Sequence, residues 1–72
     1  MKSIAKGHIR RLHSVEVDTD GRVHPIHDVS PVVCARVERF GFSVVEDDVR
    51  ETWGVFNYLI KSGGSYYLAA IY

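Results

Sequence analysis

Apolar residues recur at helical spacing between Ser43 and Gly64. Val45, Val49, Trp53, Phe56 and Ile60 follow one another at steps of four, four, three and four. On a 3.6-residue period they form one stripe. Ser43 and Glu46 match a capping box, and Gly63-Gly64 supplies a stop. Glu46, Asp47 and Asp48 would then sit at the positive end of the helix dipole, with Lys61 at the negative end. Gly54 lies inside the run, at a cost of up to ~1 kcal/mol relative to alanine. The pattern predicts the main amphipathic helix over residues 43–64, with its stripe packed on a small sheet.

The remaining segments read as short and extended. Ile9, Arg11, His13, Val15 and Val17 share one parity, and Leu12 breaks it, so a bulge near Arg10–Arg11 is expected. In Asp18-Thr19-Asp20-Gly21-Arg22, Thr19 and Asp20 suit a type I turn, and Gly21 suits the left-handed position of a G1 bulge. That predicts a β-hairpin with Val17 opposite Val23. His24–Pro31 carries two prolines, which confine it to an irregular connector or an edge strand. Residues 32–40 fit two patterns. Ser30-Pro31 and Gly41 frame a helix, whereas Val33, Ala35 and Val37 alternate with Cys34, Arg36 and Glu38 as in a strand. The alternation tips the reading to a strand. Ser65–Tyr72 is a strand apolar on both faces, either central or facing a partner.

The chain of 72 residues is 46% hydrophobic and 25% charged, which is ordinary globular composition. It makes one domain, residues 1–72, with a core small enough that homodimerisation is an expected remedy. The single cysteine, Cys34, excludes an internal disulfide and fits a reducing compartment. With no membrane-length apolar run and no signal-like start, the expected location is the cytoplasm. Nine basic and nine acidic residues cancel, which argues against a dedicated nucleic-acid binder.

Candidate chemistry is sparse. His24-x-x-His27, Asp28 and Cys34 are metal-ligand types, but Pro25 interrupts the pair and no second paired motif exists. No metal or cofactor is expected. His13 and His24 flank the hairpin and would serve as acid and base of a small nuclease if they met across it. Cys34 lies in an apolar run and reads as a small core residue. Phe40-Gly41-Phe42-Ser43 echoes the turn of a helix-turn-helix, yet the acids that follow would repel phosphate. A nucleic-acid alternative rests on Lys6, Arg10 and Arg11.

The acids Glu46, Asp47, Asp48 and Glu51 read either as simple complements of the helix dipole or as an expected docking surface for a basic region of another protein. Tyr66, Tyr67 and Tyr72 add residues favoured at interfaces. Ile9–Asp18, IRRLHSVEVD, resembles the opening of the eighth numbered family of bacterial polymorphic-toxin immunity proteins. There a strand runs into a Ser-x-acidic-apolar-Asp step, and Pro25 and Val32–Val37 sit where that family has a proline and its next strand. The resemblance covers about the first forty residues and carries no functional residue over. It implies a small inhibitor that binds another protein. The expectation is therefore an α+β domain with a small antiparallel sheet: an N-terminal hairpin, a middle strand and a C-terminal strand on one helix. Its expected activity is non-enzymatic protein binding, of immunity or phage anti-defence type.

Overall fold

The computed structural model describes residues 8–72. Five strands form one open sheet: β1 (Ile9–Val17), β2 (Val23–Asp28), β3 (Ser43–Asp47), β4 (Tyr58–Ser62) and β5 (Ser65–Ile71). Their order is β2-β1-β5-β4-β3, and every neighbouring pair is antiparallel. Two helices complete the described chain, α1 (Pro31–Phe40) and the single turn α2 (Arg50–Trp53). The α+β class and the antiparallel sheet agree with expectation; the sheet has more strands than the sequence predicted.

The hairpin β1–β2 forms as its turn residues require. Gly21 N–H donates to the Asp18 carbonyl at 3.0 Å, and Gly21 takes φ +82°, the left-handed conformation a G1 bulge demands. Val17 faces Val23. The register slips between Ile9 and Arg11 against β5, placing a bulge at Arg10. Of the two readings of His24–Pro31, the edge strand holds. Asp18 N–H donates to the Arg22 carbonyl at 3.0 Å, so by alternation Val15–Pro25 falls at a non-hydrogen-bonded pair. The ring nitrogen of Pro25 therefore faces solvent, where its missing donor costs no ladder bond.

Residues 31–40 are a helix, and the strand expectation is corrected. Ser30 Oγ accepts from Val33 N–H at 3.4 Å, with Pro31 as the first helical residue. Gly41, at φ +105°, closes the other end through its N–H to the Val37 carbonyl at 2.9 Å. The terminal signals outweighed β-propensity because Cys34 and Val37 face the core from successive turns.

The helix expected over 43–64 does not exist. That stretch is strand β3, a turn, the four-residue α2, and strand β4. Asp48 at φ +54° breaks any helix that began at Ser43, and Gly54 at φ +64° ends α2. Asn57 then acts as a backbone mimic: its Oδ1 accepts from Ile71 N–H at 2.9 Å, and its Nδ2 donates to the Ile71 carbonyl at 2.8 Å. Gly63-Gly64, expected to stop a helix, instead turns β4 into β5, with φ of +56° and +82°.

The stripe fails because a two-faced sheet needs two covers. On one face, α1 packs Cys34 and Val37 onto Leu12, Ile60 and Ala69. On the other, Val49 and Phe56, with half-buried Trp53, cover Val15, Leu59 and Leu68. Ile60 thus belongs to one core, Val49 and Phe56 to the other, while Val45 is 50% exposed. β5 is the central strand, which explains its two apolar faces.

Candidate functional site

Four of the nine acidic residues follow one another along one border of the molecule, with the exposed Arg50 among them. Glu46 and Asp47 lie on β3, one of the two outermost strands; Asp48 forms the following turn, and Glu51 lies on α2. All four are exposed. This is a sheet edge with a left-handed turn, whereas the sequence placed these acids at the start of a long helix. The register between β3 and β4 slips between Val44 and Glu46. The residue at the slip is the exposed Val45, giving the border an apolar contact beside its carboxylates. Sequence reasoning assigned Val45 to the core stripe; the adjoining pair Val44-Val45 beside three acids was the missed signal for an edge strand.

The tyrosines are not part of this border. Tyr66 pairs with Val15 on one side and Lys61 on the other, while Tyr67 pairs with Ser14 and Ile60. They point to opposite faces of the central strand, both half-buried. The Lys61 ammonium stands 5.2 Å from the Tyr66 ring centroid, within cation–π range. Tyr72 is 68% exposed and pairs through its backbone with His8. Acids and tyrosines therefore do not make one patch.

The histidines are used as cross-links. His13 Nδ1 lies 2.9 Å from Asp28 Oδ1, and Arg11 Nη2 donates to the same carboxylate at 3.2 Å. Phe56 backs this cluster, with its ring centroid 5.9 Å from that of His13 and 5.4 Å from the Arg11 guanidinium carbon. His24 Nε2 donates to Asp18 Oδ2 at 2.9 Å, and His8 Nδ1 lies 3.0 Å from Glu38 Oε2. The hydrogen bond from His13, then that from Arg11, holds the Asp28 carboxyl below the ordinary carboxylate value. The bond from His24, then the Arg22 N–H, does the same for Asp18.

An acid–base pair of His13 with His24 does not form. His13 is opposite Asp28, and His24 is opposite Glu16, three residues further along β1. An odd step along a strand puts them on opposite faces. The basic arm is likewise divided: Arg11 is engaged by Asp28, Arg10 is exposed at the bulge, and Lys6 lies outside the described residues. Among the described residues no three His, Cys, Asp or Glu side chains are grouped to hold a metal. Cys34 is buried in the core, and burial raises its thiol pKa, which disfavours the thiolate.

Among the described residues no helix is long and apolar enough to cross a membrane. Comparison with protein-family models, curated proteins and solved structures gives no match. The fold defines the class: a small α+β domain, an open antiparallel sheet covered by one helix and one looped turn.

Proposed function

We propose that this protein is a small non-enzymatic protein-binding module, an inhibitor or antagonist of immunity or phage anti-defence type. It docks through the border of β3 onto a basic surface of its target. The observation that supports this reading is the collection of Glu46, Asp47, Asp48 and Glu51 around exposed Val45 on an outermost strand.

Charge on an edge strand opposes self-pairing. Two copies of β3 joined antiparallel about Val45 would set their Glu46 carboxylates diagonally across from one another, which is repulsive. A basic partner converts the same charges into attraction, so the border rejects one partner and selects another. A homodimer, if one forms, uses a different face. The separation of His13 from His24 weakens the nuclease alternative, and the engagement of Arg11 by Asp28 weakens the nucleic-acid alternative.

The test is affinity purification from the native host, with wild type beside a variant carrying Glu46→Lys, Asp48→Lys and Glu51→Lys. The wild type is expected to retain one protein in stoichiometric amount, and the variant at least ~10-fold less, equivalent to about 1.4 kcal/mol. Recovery of wild type free of any partner, together with turnover of RNA, sinks the proposal.

A further inference from the structure

A second surface, unlike the acidic border in both place and sign, lies along α1. The helix covers Leu12, Ile60 and Ala69 but leaves Tyr67 and Val33 half-buried beside it. A trough therefore runs along this flank of the helix. One part, of about 230 Å³, lies between Val37, Phe40 and Gly63 with Tyr67 in its wall. A second part, of about 290 Å³, continues past Val33 and Tyr67 to His27 and Val29. Each is the size of one or two side chains, smaller than a typical small-molecule pocket.

The end of the trough is built from the most exposed large hydrophobic side chain in the described residues, Phe40, at 73%. Its Cε2 lies 3.8 Å from where a β-carbon on Gly63 would stand, so the ring leans over the β4–β5 turn. An aromatic ring held in water against a glycine turn does little for the core, and fits a contact made by a partner.

At the Phe40 end the charge beside it has one sign. Arg36 lines the trough, and Arg39 lies in the last turn of the same helix. The one carboxylate of α1, Glu38, is turned the other way: its Oε2 accepts from Ile9 N–H at 2.6 Å and lies 3.0 Å from His8 Nδ1. Asp28, at the far end, is engaged by Arg11 and His13. Phenylalanine and arginine are both residue types enriched in protein–protein interfaces.

We infer that this trough seats a short segment of a partner protein in which one or two apolar side chains adjoin carboxylates. The apolar groups fill the space between Phe40, Val37 and Tyr67, and a carboxylate pairs with Arg36. The protein then has two docking surfaces of opposite charge, the acidic one on β3 and the cationic one on α1.

Selection from a displayed library of random dodecapeptides tests this without assuming a sequence. Recovered peptides are expected to be net acidic with clustered apolar residues, and to shift the amide resonances of Val33, Arg36, Phe40, Gly63 and Tyr67. Their affinity is expected to fall at least ~10-fold for Phe40→Ala and again for Arg36→Glu. Phe40 is largely exposed, so Phe40→Ala should keep the fold; an unchanged amide spectrum elsewhere verifies this. Recovery of basic peptides, shifts confined to β3, indifference to both substitutions, or no enrichment over a blank support overturns the inference. So does a concentration-dependent dimer lost with Phe40→Ala, which would assign the trough to a second copy. Glu46→Lys with Asp48→Lys is expected to leave peptide binding at the trough intact, which separates this inference from the fate of the acidic border.

Discussion

Leu12 is the residue on which most of one core converges. It is fully buried, lies on β1 against Ala69 of β5, and its carbonyl accepts from Val29 N–H at 3.0 Å. Leu12→Ala is expected to cost about 2–5 kcal/mol, the range for a truncated core leucine. Denaturant unfolding measures this directly. In a chain this small the loss is a large share of total stability, so partial unfolding at room temperature is the expected outcome.

Two exposed carboxylates give the hairpin its pH dependence. Asp18 and Asp28 both titrate below their ordinary value of 3.8, mainly through His24 and His13 respectively. A depressed carboxyl pKa stabilises the fold above the ordinary value, and that contribution disappears as pH falls through the lower, folded-state value. Thermal melts from neutral pH down through this acidic window should show wild type losing more stability than Asp18→Asn/Asp28→Asn. Parallel curves for the two proteins would contradict the assignment.

At the level of elements, what was legible depended on how local the determining residues were. The turn Asp18–Arg22 was readable because its determinants are local: Gly21 takes the left-handed position, and Asp18 Oδ1 accepts from the Asp20 and Arg22 N–H groups. The C-terminal strand was readable because its tyrosines and Ile71 favour an extended chain. Residues 31–40 carried both helical end signals and a strand-like alternation, and the alternation tipped the reading to a strand. The decision came from packing, since α1 must lay Cys34 and Val37 on one face of the sheet. Residues 43–64 failed for the reverse reason. Their helical period came from residues serving two cores and one surface: Ile60 on the α1 side, Val49 and Phe56 on the other, and Val45 in solvent. The acids were visible as a cluster, but their place on an edge strand was not.

Two predictions belong to this scale. Ser30→Ala removes the side-chain cap of α1 and is expected to lower stability by about 0.5–2 kcal/mol. Urea unfolding would register this as a lower midpoint at unchanged slope. Pro25→Val restores an outward N–H to β2 and removes a guard on that edge. Stronger concentration-dependent association by sedimentation is expected for the variant than for wild type; identical behaviour of the two would refute the guarding role.

For the whole molecule, two charged clusters stand at separate places among the described residues. Arg36 and Arg39 stand on α1, while Glu46, Asp48 and Glu51 stand at the β3 border and its adjoining turn. Net charge is zero, so long-range attraction to any target is weak and orientation comes from these local fields. Binding through the β3 border should weaken with rising salt, because exposed charges are screened within about 8 Å at physiological ionic strength.

The most direct test of the account is hydrogen exchange on the protein bound to the partner recovered from its host. Protection on binding is expected in residues 43–51, the strand, turn and first half of α2 that carry Val45 and the four acids. Residues 9–28 of the hairpin should exchange as they do in the free protein. Protection confined to the hairpin, or none at all, would contradict docking through the acidic border.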